Sequence, residues 1–428
     1  MSLIEKYSNK EVQFRYNGVN LSFFLSQGLF SSFAIDAGTK LLLKTIAKEI
    51  DFTEINSVSD IGCGIGVIGL SLKKKYPNLT VTLQDRDALA LSFSKENAHR
   101  NKIKDISYSG ELAMEGLEKN SQDLIISNLP AKAGESVLQD FVNSSLPYLS
   151  AGGKCLVVVV ATLKNTILNA IGKTDAEIIY KEDTREYSVF HFKKGNNTNF
   201  QTKDNDTTDL RECYFRGTND FQLKKLHYPL KVVYNLPGFD TIPYHIDLTA
   251  HILEKQAVSD RTLFWNPGQG HLPVIAHLIN RKKITETTLA SRDILQLKIS
   301  KENLENTFSY VSKENLKLKH ICCPEKLRKG VLQYAPPQED TSILKTAPLA
   351  DTRTNLNYDS VIISLESSDD TILSSFLDYT GHNGILIITG KSSNIAGAIK
   401  NNKGWIQITS HKYRGFRVVV FKRNSRNY

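Results

Sequence analysis

The stretch Asp60-Ile61-Gly62-Cys63-Gly64-Ile65-Gly66 decides the fold of this chain. It ends a short strand pattern, residues 55–61, and leads into a helical pattern, residues 67–76. A glycine-rich turn between a strand and a helix is where an α/β sheet brings its backbone up to a ligand. Glycines are required there because a Cβ atom would block the approach. The stretch therefore predicts an α/β domain with a ligand site at this turn.

Strand and helix patterns alternate on both sides of the turn. After a strand pair joined by an Asn17-Gly18 turn, the patterns are helix 41–50, strand 55–61, helix 67–76, strand 79–84, helix 87–100, strand 105–109, strand 123–127, helix 135–149, strand 155–161 and strands near 176–181 and 187–193. Such alternation predicts a mostly parallel, seven-stranded sheet covered by helices on both faces. We expect this first domain to span residues 1–195.

The second half of the chain repeats the first. Residues 196–210 are polar and predict a linker. Beyond it, residues 86–97 match residues 292–303 at a constant offset of 206 positions. The repeat predicts a second α/β domain over residues 211–428, with an insertion at 304–358. The expected fold class is therefore α/β, with two tandem Rossmann-like domains.

Two carboxylates accompany the glycine turn and indicate its ligand. Asp60 ends the strand before the turn, and Asp85 ends the next strand, where a carboxylate can accept both hydroxyls of a ribose. A dinucleotide loop, G-x-G-x-x-G, would require glycine at position 67, where the chain has Val67. An acid before the loop suits a cationic amino-acid group better than a pyrophosphate. The pattern favours S-adenosylmethionine over a dinucleotide, and the candidate contacts in these two turns are Asp60, Gly62, Cys63, Gly64, Gly66, Asp85 and Arg86.

The fourth strand of the sheet ends in Asn128-Leu129-Pro130, which is similar to the (Asn/Asp)-Pro-Pro-x motif of amino-group methyltransferases. A conjugated amine is a weak nucleophile because its lone pair is delocalised. The side-chain oxygen of Asn128 and the carbonyl of Leu129 can accept its two N–H bonds and orient the lone pair toward a methyl donor. Asn128, Leu129 and Pro130 are therefore the candidate catalytic residues.

Four motifs in order make residues 10–195 resemble the methyltransferase small domain of ribosomal RNA guanine-N2 methyltransferases of the small-subunit methyltransferase C type. These motifs are Gly28–Ser31, Ile35–Leu43, Asp60–Gly69 and Ser127–Gly134. The resemblance implies an S-adenosylmethionine-dependent enzyme acting on guanine N2 of ribosomal RNA. It also implies that Asp36, Gly38 and Thr39 line the methionine end of the cofactor, with Asn128 near the methyl group. Glu111 is the candidate contact to the adenine.

The chain departs from the family pattern beside the catalytic motif. Leu129 stands where the family has proline, and Ala131 offers no ring on which a base could stack. Phe30 and Phe33 are the candidates for that role, and Lys132 is a candidate phosphate contact.

The second copy lacks the groups that the first copy would use. Its counterparts of Asp60, Gly62, Asp85 and Asn128–Pro130 are Phe264, Asn266, Ser291 and Leu365–Ser367. Without the carboxylates, a sulfonium cofactor would have no charge partner and its ribose no acceptor. We therefore expect a degenerate copy. In the related enzymes the active copy usually comes second, so the order is inverted here.

Charge is concentrated in the degenerate copy. Residues 211–428 hold 30 Lys and Arg against 20 Asp and Glu, whereas residues 1–195 hold 23 against 22. A basic half beside a neutral half predicts a polyanionic partner, and ribosomal RNA is the expected one. Five basic clusters are candidate phosphate contacts: Lys224-Lys225, Arg281–Lys283, Lys326–Lys329, Lys412–Arg417 and Lys422-Arg423.

Composition excludes other classes of protein. The first ten residues show no signal peptide, and the longest apolar run is far shorter than a membrane span. The five cysteines have neither disulfide-framework nor zinc-site spacing, so we expect a cytoplasmic protein without a metal site.

Two other functions remain open at this point. The same Asn-Pro-Pro clamp serves protein glutamine N5-methyltransferases, although that activity would leave the basic second copy unexplained. A non-catalytic RNA-binding assembly factor would be consistent with the changes at Leu129 and Ala131. The sequence does not identify the target nucleotide or the oligomeric state.

Overall fold

The chain folds into two compact units, Met1–Tyr214 and Phe215–Tyr428. The computed structural model describes residues 6–29, 33–195, 210–280, 283–327, 357–366, 372–400 and 402–424. Of the predicted linker 196–210, only Leu210 lies within these residues. Residues 211–214, which composition assigned to the second domain, contact the first, since Arg211 forms an ion pair with Asp140 at 2.9 Å.

No helix in the described ranges has the length and apolar character that crossing a membrane requires.

The first unit begins with a hairpin and continues with alternating helices and strands. Its described elements are β1 (Ser8–Tyr16), β2 (Val19–Ser26), α1 (Ala37–Glu49), β3 (Ser57–Ile61), α2 (Val67–Lys75), β4 (Thr80–Gln84), α3 (Ala88–Arg100), β5 (Ile106–Ser109), β6 (Gln122–Asn128), α4 (Glu135–Ser145), β7 (Leu149–Val160), α5 (Lys164–Gly172), β8 (Glu177–Asp183) and β9 (Tyr187–Lys193).

Seven of these strands form one sheet in the order β5-β4-β3-β6-β7-β9-β8. All neighbours up to β7 are parallel, whereas β9 runs antiparallel to both β7 and β8. The apolar run Cys155–Val159 in β7 is fully buried, as expected for a central strand covered on both faces. The predicted mostly parallel sheet is confirmed. Its strand order reverses between β3 and β6, which is where α/β sheets open a ligand crevice at the carboxyl ends of the strands.

The hairpin β1–β2 lies outside this sheet and is held by side chains of α3, among them Asn97. Its turn is Asn17-Gly18, with φ angles of 40° and 88°, as predicted. The Oδ1 atom of Asn97 on α3 accepts the N–H of Phe24 at 2.8 Å. The Nδ2 atom of the same side chain donates to the carbonyl of Ile65 at 3.0 Å. One buried amide therefore joins the hairpin, α3 and the glycine turn.

The second unit repeats this series of elements. Its described elements are β10 (Phe215–Leu223), β11 (Leu226–Val233), α6 (Tyr244–Leu253), β12 (Asp260–Trp265), α7 (His271–Asn280), β13 (Ile284–Ser291), α8 (Ile294–Thr307), β14 (Leu316–His320), β15 (Tyr358–Leu365), α9 (Ile372–Leu377), β16 (Thr380–Lys391), α10 (Ser392–Ala398), β17 (Trp405–Tyr413) and β18 (Phe416–Arg423). The sheet order, β14-β13-β12-β15-β16-β18-β17, reproduces that of the first unit.

Individual side chains repeat as well as strands. Asp293 caps α8 by accepting the N–H of Leu295 at 3.0 Å, as Asp87 caps α3. Asn303 occupies the place of Asn97, since it accepts the N–H of Lys231 at 2.9 Å and donates to the carbonyl of Gln269 at 2.8 Å. The predicted tandem duplication is confirmed.

The range 304–358, in which the sequence comparison predicted an insertion, also contains a strand of the sheet. Strand β14 lies inside that range and pairs with β13 as β5 pairs with β4. The basic residues Lys317 and Lys319 therefore belong to the sheet itself. Residues 328–356 lie outside the described residues.

Candidate active site

The glycine turn between β3 and α2 leaves an open surface over two of its three glycines. Gly62, Gly64 and Gly66 have φ angles of 72°, 56° and 87°, which residues with a side chain rarely adopt. A Cβ atom on Gly64 would meet nothing within 4 Å, and one on Gly62 would come only within 4.0 Å of the hydroxyl of Ser127. On Gly66 it would meet Leu70 at 2.9 Å. Gly62 and Gly64 thus leave room for a ligand, whereas Gly66 allows close packing.

The N–H groups of this turn are engaged within the protein. The N–H groups of Gly62 and Cys63 both donate to the carbonyl of Gln84, at 2.8 and 3.0 Å. Gly64 donates to Asp85 at 2.9 Å, and Gly66 donates to the carbonyl of Cys63 at 2.9 Å. A pyrophosphate is held by free N–H groups at such a turn. The turn therefore suits a ligand whose charge is positive rather than negative.

Asp60, at the end of β3, is buried with an unsatisfied oxygen. Its Oδ2 atom accepts the N–H of Gly69 at 2.8 Å. Its Oδ1 atom has no hydrogen-bond partner among the described residues. Burial, opposed by the Gly69 hydrogen bond and reinforced by the charge of Asp85, raises the pKa of Asp60 to about 7. A buried carboxylate with a free oxygen fits a cationic ligand, which would restore its charge balance.

Asp85, which follows β4, is held rigidly by the backbone. Its two oxygens accept the N–H groups of Gly64 and Asp87, each at 2.9 Å. Burial and the charge of Asp87 raise the pKa of Asp85 to about 6, while Arg86 acts in the opposite direction. Each carboxylate oxygen has a second lone pair, so the group can still accept two hydroxyls.

Cys63 and Glu111 are the next two candidates for contact with the cofactor. The Cys63 thiol is buried 3.7 Å from the hydroxyl of Ser94, and burial raises its pKa well above the usual range. Cys63 therefore presents only its backbone to the turn. Glu111 follows β5 and packs beside Gly116, at the same edge of the sheet as Asp85.

Asn128, the last residue of β6, is fixed by a network that the sequence did not reveal. Its Nδ2 atom donates to Asp36 Oδ2 at 2.8 Å and to Thr39 Oγ1 at 2.9 Å. Because an ionised carboxylate can only accept, the nitrogen of this amide must be the atom that faces Asp36. The Oδ1 atom of Asn128 accepts no hydrogen bond from the described residues and is left to bind another molecule.

The network continues to Tyr187, the first residue of β9. The hydroxyl of Tyr187 donates to Asp36 Oδ1 at 3.2 Å. Burial and the charge of Asp36 raise the pKa of Tyr187, so the hydroxyl remains a donor. A Cβ atom on Gly38 would lie 2.8 Å from the Tyr187 ring, so the glycine permits the approach. Sequence analysis missed Tyr187 as a site residue. Because β9 runs antiparallel to β7, its first residue lies at the edge of the sheet where β6 ends.

Asp36 and Thr39 are therefore brought against the catalytic candidate. Asp36 also accepts the N–H of Thr39 at 3.1 Å and so caps α1. The resemblance assigned these residues to the methionine end of the cofactor. That assignment stays a prediction, and the contacts with Asn128 give both residues a second role.

The residues after Asn128 divide between core and surface. The Leu129 side chain is buried among Ile61, Phe141 and other core residues, and its N–H donates to Val158 at 3.0 Å. Pro130, Ala131 and Lys132 are exposed. Of the two stacking candidates, Phe30 lies outside the described residues. Phe33 is 68% exposed, three positions before Asp36.

In the second unit, the corresponding crevice is closed by its own side chains. Phe264, in the place of Asp60, is 1% exposed. Asn266 accepts the hydroxyl of Ser291 at 3.2 Å. Gln296 accepts the N–H of Gly268 at 3.1 Å and donates to Glu366 at 2.8 Å. The polar groups around this turn are thus satisfied internally. No three His, Cys, Asp or Glu side chains group as a metal site in the described parts of either unit.

The chain shares its first unit with known proteins. Residues 20–191 match the methyltransferase small domain. A ribosomal RNA small subunit methyltransferase C of Haemophilus influenzae is 32% identical over 148 residues, which are 34% of this chain and 43% of that protein. The uncharacterized protein YbxB of Bacillus subtilis is 30% identical over 155 residues, 36% of this chain and 75% of YbxB. This chain therefore spans less than half of the first of these relatives.

One solved structure covers both units. A T. thermophilus 16S rRNA N2 methyltransferase, in complex with AdoMet and guanosine, superposes with a TM-score of 0.64. The match covers 99% of this chain and 100% of the other at 11% sequence identity. At this identity the likeness establishes the tandem α/β fold alone.

Proposed function

The chain belongs to the methyltransferase small domain family, and we propose that it is an S-adenosylmethionine-dependent methyltransferase acting on an exocyclic amine of RNA, guanine N2 of ribosomal RNA. The observation that carries the proposal is the pairing of an unsatisfied buried carboxylate with an oriented amide. Asp60 lies at the end of β3 and Asn128 at the end of β6, which are neighbouring strands. The matched ribosomal RNA small subunit methyltransferase C of Haemophilus influenzae supports the same reaction class.

The residues at the glycine turn fit the proposed cofactor. The free Oδ1 atom of Asp60 provides a charge partner for a cation, and Asp85 provides acceptors for a ribose. The space over Gly62 and Gly64 would admit the bound molecule. When bound, S-adenosylmethionine supplies an electrophilic methyl group on a positively charged sulfur. The other assigned contacts, Gly66, Arg86 and Glu111 among them, remain part of this proposal.

Asn128 and Leu129 perform the positioning. Asp36 and Thr39 hold the nitrogen of the Asn128 amide, so its oxygen can accept an N–H of the substrate amine. The Leu129 carbonyl can accept the second N–H. Holding both N–H bonds fixes the direction of the lone pair, and such positioning can contribute several kcal/mol to catalysis. The clamp places no strong base at the amine, so the proton would pass to water once methylation has made the nitrogen cationic and acidic.

The second unit serves in this proposal as the RNA-binding platform. Its half of the chain carries the excess of Lys and Arg, while its own crevice is filled.

All five cysteines are free thiols, four of them buried, which agrees with the reducing cytoplasm where ribosomal RNA is processed.

The experiment compares ribosomal RNA nucleosides from cells with and without the gene by mass spectrometry. We expect the loss of one N2-methylguanosine, and its restoration by the wild-type gene but not by the Asn128→Ala variant. Unchanged RNA together with the loss of a methylated glutamine would favour the protein methyltransferase. A normal RNA and protein methylation pattern would favour the assembly factor.

A further inference from the structure

The second unit carries a half-exposed aromatic cluster at the corner that corresponds to the Asn128 network. In the first unit, Tyr187 at the start of β9 packs against the start of α1. In the second unit, Phe416 at the start of β18 packs against the start of α6, with ring centroids 6.2 Å from Tyr244 and 5.7 Å from His245. The corner has therefore kept its packing and lost its catalytic side chains.

Two tyrosines and an arginine form the outer layer of this corner, which we call the aromatic–arginine cluster (Tyr244, Tyr413 and Arg414). The rings of Tyr244 and Tyr413 lie edge to face with centroids 5.8 Å apart. The guanidinium of Arg414 lies 5.0 Å from one ring centre and 5.3 Å from the other, and it also donates to the hydroxyl of Tyr244. Tyr244 is 41% and Tyr413 46% exposed, so both rings offer a surface to a ligand.

The cluster is presented by a tight turn. Arg414 and Gly415 join β17 to β18 with φ angles of 45° and 81°, which is the backbone of a two-residue hairpin turn. A left-handed conformation is uncommon for arginine and marks a position held by its surroundings. The turn therefore fixes the backbone from which Arg414 projects, and the contacts of Arg414 with both rings hold the three side chains together.

The charge around the cluster favours an anionic partner. Lys391, Lys412 and Arg417 lie on the same strand ends and are paired with one another or with Phe416 across the sheet. Neither they nor Arg414 form an ion pair with a described carboxylate. The first turn of α6 carries one acidic residue, Asp247, and it forms no described ion pair with these four cations. Stacking rings interleaved with uncompensated cations are the combination that binds single-stranded nucleic acid.

We infer that the aromatic–arginine cluster binds an unpaired base of the RNA, by stacking on Tyr244 or Tyr413 while the neighbouring cations contact phosphates. The inference deepens the proposed function, because the RNA partner rests on it. The degenerate unit then does more than attract the RNA by its positive charge, because it also selects RNA that has an unpaired base.

The experiment measures binding of the whole chain to a fluorescent heptauridine and to an abasic RNA of the same length, at fixed salt. We expect the wild type to bind heptauridine more tightly than the abasic strand. Tyr244→Ala and Tyr413→Ala should each weaken heptauridine binding about 5-fold to 30-fold and leave the abasic affinity unchanged. Tyr244→Phe and Tyr413→Phe keep the rings and should bind as the wild type does, which controls for folding.

Two further variants separate stacking from charge. Arg414→Asn tolerates the left-handed turn and should weaken both RNAs, with the salt slope of binding reduced by about 0.7 for one lost phosphate contact. Ile406→Ala, at an exposed residue of the same strand, should change neither RNA. Alanine variants that bind both RNAs as the wild type does, or that lose both equally, would overturn the inference.

The outcome is independent of the methyltransferase proposal. A parallel titration with S-adenosylmethionine reports on the first unit alone. If the wild type binds no cofactor and the tyrosine variants still lose heptauridine selectively, the proposed reaction fails and the stacking surface stands.

Discussion

The glycine turns of the two units have the same backbone and different side chains. Gly64 and Gly66 have φ angles of 56° and 87°, and Gly268 and Gly270 have 61° and 94°. Around the first pair lie carboxylates, one with an unsatisfied oxygen. Around the second pair lie amides, a hydroxyl and a glutamate that bind one another. The fold therefore does not need the carboxylates, which supports the proposal that they bind a ligand.

The comparison also shows that the carboxylate Asp60 lowers the free energy of unfolding of the first unit at neutral pH. Desolvation of Asp60 raises its pKa, so its contribution to the free energy of unfolding is fully present below the unfolded pKa of about 3.9 and is lost as the pH rises through about 7. Phe264 carries no such penalty. The first unit retains a destabilising group that the second has replaced by an apolar one.

The largest effect should follow from making the first turn resemble the second. Asp60→Asn keeps an acceptor for Gly69 and removes the negative charge. We expect the affinity for S-adenosylmethionine to fall about 100-fold to 1,000-fold, because a buried charge loses its partner. Isothermal titration calorimetry measures it. Asp293→Asn in the second unit is the matched control and should bind normally, and a similar affinity for Asp60→Asn and the wild type would contradict the assignment.

The next effect concerns chemistry rather than binding. Asn128→Ala should lower kcat about 100-fold, because one oriented acceptor is lost from the amine. The Kd of the cofactor should stay within about twofold, since its charge partner Asp60 is untouched. Single-turnover assays on unmodified ribosomal RNA separate the two quantities. Glu366→Gln, at the corresponding strand end of the second unit, should leave kcat unchanged. Full activity of Asn128→Ala would exclude the amide clamp.

The pH dependence of cofactor binding gives a third test. Binding of a cation requires Asp60 to be ionised, and its pKa in the free protein is about 7. The affinity should therefore be constant above pH 8 and fall about tenfold per unit below pH 7, with Asp85 adding to the slope below about pH 6. Titrations at pH 5.5, 6.5 and 8 measure this profile. Asp60→Asn should flatten it, and an equally steep profile in that variant would assign the dependence to another group.

The smallest effect should come from the outer member of the network. Tyr187→Phe removes one hydrogen bond to Asp36 and should lower kcat about 3-fold to 10-fold without changing the Kd of the cofactor. Tyr180→Phe, which removes the hydroxyl bonded to Glu182 at 2.6 Å on the neighbouring strand, is the matched control. Equal losses in both variants would indicate a general effect on the sheet rather than positioning of Asn128.

The sequence predicted those features that depend on local pattern. The alternation of strands and helices, the Asn17-Gly18 turn and the tandem repeat could be predicted because each is encoded within a few neighbouring residues. The carboxylates Asp60 and Asp85 could be predicted because each ends a recognisable strand. These features depend on periodicity and spacing, which one chain displays without its structure.

The contacts across the first unit could not be predicted in the same way. Asn128 and Asp36 are 92 positions apart, and Tyr187 and Asp36 are 151 apart. The first contact depends on where α1 begins relative to the end of β6, and the second on the register of β9 against β7, and both are set by packing rather than by any local motif. The same holds for Arg211, whose ion pair with Asp140 attaches residues beyond the predicted linker to the first unit.

The asparagines that join each hairpin to its glycine turn give the chain a built-in pair of reporters. The N–H of Phe24 is bonded to Asn97, and the N–H of Lys231 is bonded to Asn303. Deuterium uptake at each amide then follows the opening of its own turn. A molecule that binds only the first unit should slow uptake at Phe24 and leave Lys231 unchanged. The duplication thus supplies, within every molecule, an internal reference with which ligand protection of the first unit can be compared.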